Sequence, residues 1–250
     1  MEAYQYPHYY QIALAPRNPG SEVDFFEAAI GKFSKTEVRR VFEFGAGTAP
    51  YLEEWHRRGY AYTGLDLSPA MVDFARAKGE RLGIEASFIL GDMRDLDRNL
   101  GPFDLVYVSL GSLYVRSNRE FLDHLDRVAD LLARGGLYLL DSFVWFRIFH
   151  EYQRSWTRRK EGVVVRTRYR AELIDPVAQT YHECLTLRVN DHGRERLISG
   201  RVPAKVFFPQ EFLCLIELSG RFEFIGWYND FNLAAEFKPE GRHVVILRKR

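Results

Sequence analysis

The stretch that most constrains this chain is "VFEFGAGTAPY", Val41 to Tyr51. It is an apolar run ending in two glycines one residue apart, then Pro50 and a helical pattern. A turn of this kind joins a buried strand to a helix and lets backbone approach a ligand closely. A dinucleotide fingerprint, G-x-G-x-x-G, would place glycines at 45, 47 and 50. Here position 50 is Pro, the small residue comes at Ala49, and an acid, Glu43, stands two residues before Gly45. That spacing points away from a nicotinamide cofactor, so an NAD-dependent oxidoreductase is the lesser alternative.

From Glu37 to Ser142 strand and helix patterns alternate. "EVRRVFEF" is a strand-like run, and Pro50 suits the first turn of the helix "YLEEWHRRG". "AYTGLDL" reads as the second strand. Ser68 and Pro69 supply a cap and first-turn pair for "AMVDFARAKGERLG". "EASFIL" and the almost continuously apolar "FDLVYVS" read as strands three and four. Ser117 and Glu120 form a capping box for a helix that "ARGG" stops before the fifth strand, "LYLLDS". Such alternation predicts an α/β fold: a doubly wound, mostly parallel, Rossmann-like sheet with helices on both faces.

After Val144 the pattern changes. "GVVVRTRYRAELID", "TYHECLTLRVN" and "RERLISGRVPAKVFF" read as strands of an antiparallel meander inserted after strand five, with "NDHG" as a hairpin turn. The aromatic "FRIFHEYQRSW" before them reads as helical or irregular. "PQEFLCLIELSG" reads as a helix, and "FEFIGWYN" and "HVVILRK" as two strands that rejoin the main sheet and bring it to seven. The expected organisation is an N-terminal arm or lid (1–20), a cofactor-binding domain (21–146 and 208–250) and an inserted substrate or lid segment (147–207).

In doubly wound sheets ligands bind outside the carboxyl ends of the strands. Those ends carry Glu43, Gly45, Ala46 and Gly47; Asp66 and Leu67; Gly91, Asp92 and Met93; and Ser109, Leu110, Gly111 and Ser112. A carboxylate at the second strand end can accept two hydrogen bonds from vicinal ribose hydroxyls. Leu67, Met71 and Met93 can sandwich a flat base, with Asp92 on its exocyclic amine. The helix N-terminus beyond the glycines favours a carboxylate. The inferred ligand is a nucleoside with a zwitterionic tail.

The sequence resembles a class I S-adenosylmethionine-dependent methyltransferase, whose glycine motif is (E/D)-x-G-x-G-x-G. Here it runs Glu43-Phe44-Gly45-Ala46-Gly47-Thr48-Ala49, with Ala in place of the third glycine. The resemblance implies Asp66 as the ribose-binding acid, Asp92 as the adenine-side acid, and "LARGGLYLLD" as the approach to strand five. The meander and "SLGSLYV" resemble small-molecule methyltransferases of the amino-sugar and glycine N-methyltransferase kind. S-adenosylmethionine is then the expected cofactor, and a small-molecule N or O atom the methyl acceptor. A non-catalytic adenosylmethionine-binding protein is the other alternative.

Candidate catalytic residues are His150 and Tyr114, with Asp141 and Tyr228 as further candidate bases. Tyr9 and Tyr10 can close over the cofactor. Arg166, Arg168 and Arg170 share one face of the meander and could recognise an anionic acceptor. The two cysteines, Cys184 and Cys214, read as reduced core residues, and no metal-ligand pattern accompanies them. A net charge of +1 gives no case for nucleic acid or membrane binding. The polar, aromatic start "MEAYQYPHYY" is unlike a signal peptide. A cytoplasmic monomer or homodimer is expected.

Overall fold

The computed structural model describes residues 2–14, 18–95, 100–147 and 152–250. A 3-10 turn (Glu2–Gln5) and helices α1 (Pro7–Ala13) and α2 (Pro19–Phe33) precede the alternating part. There follow β1 (Arg40–Phe44), α3 (Leu52–Arg57), β2 (Ala61–Asp66), α4 (Pro69–Leu82), β3 (Ser87–Leu90), β4 (Phe103–Val108), α5 (Asn118–Leu131) and β5 (Leu132–Asp141). The inserted part is four strands: β6 (Tyr152–Lys160), β7 (Val163–Asp175), β8 (Thr180–Asp191) and β9 (Arg194–Lys205). Helix α6 (Pro209–Ser219) and strands β10 (Phe222–Asn229) and β11 (His243–Lys249) complete the chain.

The main sheet has seven strands in the order β10-β11-β5-β4-β1-β2-β3, with β11 antiparallel to both neighbours and the other described pairings parallel. The chain leaves β3 and re-enters at β4, on the far side of β1. The order therefore reverses beside β1, and a crevice opens at that point.

Period-two alternation supplies both faces of this sheet with core. Phe42, Val106, Tyr138 and Val245 face α5 and α6, while Val41, Leu105, Leu139 and Val244 face α2, α3 and α4. Helix ends follow side-chain chemistry: the Ser68 hydroxyl accepts from Met71 N–H, and the Ser117 hydroxyl accepts from Glu120 N–H at 3.1 Å. Glu120 reaches back to the N–H of Arg116, one residue earlier than a regular capping box.

Three expectations need correction. "ARGG" lies inside β5: the register jumps from Phe103↔Leu132 to Leu105↔Leu137, and Gly135 (φ +81°) and Gly136 form the bulge. A Cβ on Gly136 would sit 2.7 Å from the Asp104 carbonyl, so the bulge needs glycine. Residues 152–156 are strand, not helix or irregular chain, pairing with β7 from Tyr152↔Ala171 onward. Their polar sequence hid a strand held by one edge. Cys214 is exposed on α6 rather than in the core, and both cysteines are free thiols.

The inserted sheet buries Val163, Val165, Leu187, Val189 and Ile198 against Ala3, Ile12 and Ala13 of the N-terminal segment. Trp156 Nε1–H donates to the Ala13 carbonyl at 2.7 Å, and the Tyr9 hydroxyl donates to Asp191 at 2.8 Å. The N-terminal turn also reaches the main domain, since the Ser68 hydroxyl donates to the Tyr4 carbonyl at 3.0 Å. It thus lies between the two sheets, above the crevice.

Candidate active site

Strand β1 aims the first residues of the site. Its pleat turns Phe44 into the core, against Phe42 and His124, so its side chain forms no part of the cavity wall. Glu43 points the other way and is wholly buried, accepting hydrogen bonds from Tyr62 (2.6 Å), Tyr107 (2.9 Å) and Ser109 (3.1 Å). Trp55 Nε1–H donates in turn to Tyr107. Burial and the Glu43 charge push both phenols well above their ordinary pKa. Three hydroxyls make Glu43 an anchor beneath the glycine turn.

The turn itself takes positive φ at Gly45 (63°), Gly47 (54°) and Ala49 (47°), where glycine would be the unstrained choice. A Cβ on Gly45 would come 3.0 Å from Ser112 Cβ, so any other residue there would be strained and would have to push Ser112 back. The Asp66 carboxylate, at the end of β2, accepts from Gly47 N–H at 2.8 Å and Ser68 N–H at 2.9 Å. Burial raises its pKa, and those backbone donors hold back part of the rise.

On the next strand end, Asp92 is gripped by the Arg94 guanidinium, with Nη2 to Oδ2 at 2.6 Å and Nε to Oδ1 at 3.0 Å. The side-chain bond to Arg94 holds the Asp92 carboxyl below its usual range. Any exocyclic amine arriving here must share that carboxylate with Arg94.

These groups line one cavity of about 720 Å³. It brings together Glu43, Gly45, Ala46, Gly47, Asp66, Leu67, Met71, Gly91, Asp92, Met93 and Ser109 with Tyr10 and Tyr114 from the expected set. Leu67 is 65% exposed within it, an unusual position for a large apolar side chain. Met71 is buried in α4 and offers the cavity little surface.

Of the remaining candidates, His150 lies outside the described residues. Asp141 is no free base, because Arg242 clasps it at 2.8 and 2.5 Å and the Leu110 N–H donates to it at 2.6 Å. Tyr228 packs on Phe25 and Phe33, away from the cavity wall. Tyr9 belongs to the inserted sheet's contacts, not to the cavity. Arg166, Arg168 and Arg170 occupy the face of β7 opposite the buried Val165, Thr167 and Ala171. Arg166 instead borders a second cavity, of about 590 Å³, with Arg159, Arg188 and Arg196.

Leu110 and Ser112, at the fourth strand end, also line the cavity, and sequence reasoning missed Arg94, Tyr4 and Arg116 on its wall. It also missed Glu183, behind Tyr114, whose hydroxyl donates to it at 3.2 Å. For Glu183 a signal existed. Tyr181, Glu183, Leu185, Leu187 and Val189 alternate along one face of β8, and an acid in an apolar register is out of place.

With this geometry in place, a family model described as a methyltransferase domain matches residues 41–136. A Geobacillus sp. (strain WCH70) protein that carries a methyltransferase name is 27% identical over 130 residues, 52% of this chain and 52% of its own. The chain thus spans about half the length of the curated relatives it matches.

Solved methyltransferases share the fold across nearly the whole chain. An S-adenosylmethionine-dependent methyltransferase from Clostridium acetobutylicum has a TM-score of 0.80, with 14% identity and 96% of each chain covered. CalS10, an amino pentose methyltransferase from Micromonospora echinaspora, has a TM-score of 0.73, with 21% identity over 94% of this chain and 93% of its own. The likeness includes the inserted part, which the methyltransferase-domain match leaves out.

Proposed function

We propose that this chain is an S-adenosylmethionine-dependent methyltransferase acting on a nitrogen or oxygen of a small acceptor. One observation carries the reading. The glycine turn, Asp66 and Asp92, from three successive strand ends, meet on the wall of a single cavity with room for a nucleoside and an acceptor. The residues fit the cofactor's parts. Asp66 offers ribose hydroxyls a carboxylate, Leu67 and Met93 offer a flat base apolar faces, and the Gly45 cradle admits a close backbone contact. Support also comes from the titles of fold neighbours, in which CalS10 is bound to S-adenosylmethionine.

When bound, the cofactor supplies a methyl already activated on a sulfonium. The chain's own task is then alignment for in-line displacement and exclusion of water, an effect worth ~7–11 kcal/mol of barrier in well-oriented reactions. Tyr4, Tyr10 and Tyr114 line the cavity from the N-terminal segment and the loop after β4, and they shield it with apolar rings. The proposed cofactor residues are Tyr10, Glu43, Gly45, Ala46, Gly47, Asp66, Leu67, Met71, Gly91, Asp92, Met93 and Ser109, without the Phe44 side chain.

Calorimetry tests the reading. S-adenosylmethionine and its demethylated product should bind with micromolar affinity or better, about −8 kcal/mol, and NAD should not bind. NAD binding without adenosylmethionine binding would refute it.

A further inference from the structure

The inserted sheet holds one carboxylate at the roof of the cleft. Glu183 stands beside Ala171 of β7 and Val202 of β9, and Val202 lines the cavity. Tyr114 donates to Glu183 at 3.2 Å, and Tyr169 bonds to it as well. The Tyr114 hydroxyl is in turn 3.4 Å from that of Tyr4, and both tyrosines line the cavity. The ionisable neighbours of Glu183 are phenols: Tyr114 after β4, Tyr169 on β7 and Tyr4 in the first turn; Tyr10 on α1 faces Tyr114, and the Asp66 charge reaches Tyr4. Among the described residues no cation pairs with this carboxylate. A half-buried acid in such company is costly to the fold and typical of acid–base sites.

We propose that the methyl acceptor is an amine and that Glu183 receives its proton through the Tyr114 hydroxyl. This rests on the methyltransferase reading above and narrows it. An ammonium has no lone pair, so it must lose a proton before it can attack. It gives that proton to the Tyr114 oxygen while the Tyr114 hydroxyl proton passes to Glu183, leaving a neutral amine, an intact phenol and a carboxylic acid. The amine lone pair then forms the N–C bond, the C–S bond breaks, and its electron pair stays on sulfur. The product is a methylated ammonium and a thioether, and Glu183 later returns its proton to solvent.

Burial pushes the Glu183 pKa up to about 7, with the two phenols holding it back. A lysine-like ammonium near ~10.4 lies roughly three pH units above that value. A hydroxyl resembling water, near ~15.7, lies roughly nine above, out of reach of this carboxylate. The rings also suit a cation: Tyr4 and Tyr10 meet edge to face at 5.5 Å, offering π faces and no positive charge. Glu183 is thus a proton-holding residue acting through Tyr114, which is the one that touches the acceptor.

The test is transfer of labelled methyl from S-adenosylmethionine to a panel of amino sugars and the matching sugars with hydroxyl in place of amine. Label should enter the amines alone. With the best amine, kcat/KM should rise with unit slope up to about pH 7. Glu183→Gln should lower it at least 30-fold at pH 7.5 and abolish that limb, with adenosylmethionine affinity changed less than threefold by calorimetry. Tyr114→Phe should match it, and Glu183→Asp should restore part of the rate. Label in the hydroxyl sugars, in none of the amines, or an unchanged profile in Glu183→Gln would overturn the proposal. Absence of adenosylmethionine binding would instead strike the underlying methyltransferase reading.

Discussion

At the scale of single residues, Asp66 carries the heaviest prediction. Its carboxylate would serve the ribose, yet it already accepts from Gly47 and Ser68 N–H and so holds the glycine turn against α4. Asp66→Ala removes both functions. Hydrogen bonds to charged groups contribute ~1.5–3 kcal/mol each, so cofactor affinity should fall by roughly two orders of magnitude or more. The protein without cofactor should also lose about 1–2 kcal/mol. Asp66→Asn should retain part of both, because its amide oxygen still accepts one bond. Calorimetry and denaturant titration on the same variants check this, and an alanine variant that binds normally would remove Asp66 from the site. From sequence, the strand-end position of Asp66 was legible because strand ends follow from spacing. The Arg94 grip on Asp92 was not, since a two-residue offset does not say whether side chains meet.

Among the elements, regular pieces were legible wherever one chain segment dictates its own pattern. The Ser68–Pro69 start of α4, the two-sided apolar β4 and the NDHG hairpin all stand as read. What failed depended on partners elsewhere: β6 is a strand because β7 pairs with it, and Asp141 is an anchor because Arg242 comes from the start of the last strand pair's return. Arg242 spans Asp141 on β5 and Glu22 on α2, at 2.5–2.8 Å, tying α2 to the sheet. Asp141 is 2% exposed, so Arg242→Ala leaves a buried charge unpaired, which costs ~3–5 kcal/mol in comparable pairs. We expect at least half of that loss by urea titration, with the Leu110 N–H bond offsetting the rest. A change below 1 kcal/mol, on the scale of an exposed ion pair, would mean that water screens the pair.

At the scale of the whole molecule, two perturbed groups on opposite sides of the cleft set opposing pH slopes. His124, on α5 in the main-domain core, is 1% exposed and sits 2.7 Å from the Tyr138 hydroxyl; burial pulls its pKa from 6.5 down to about 4. The unfolded chain protonates first, so the His124 contribution is full above about pH 6.5 and is lost progressively as pH falls through about 4. Glu183, in the roof, goes from an ordinary 4.5 up to about 7. Here the folded chain binds the proton first, so stability is greatest below about 4.5 and declines as pH rises through about 7. Each unit is worth about 1.4 kcal/mol, which caps either change near ~3 kcal/mol. Between about pH 4.5 and 6.5 the two slopes cancel, and the wild type should show little dependence from this pair. Single variants uncouple them. Relative to wild type, Glu183→Gln should gain stability as pH rises from 4.5 to 7 and then level off. His124→Gln should be most destabilised above pH 6.5 and approach wild type towards pH 4. Urea titrations at half-unit intervals give both difference curves, in which all other ionisable groups drop out. A flat curve for Glu183→Gln would mean that the roof carboxylate is solvated as freely as a surface acid, and the proton-holding role built on its burial would fall with it.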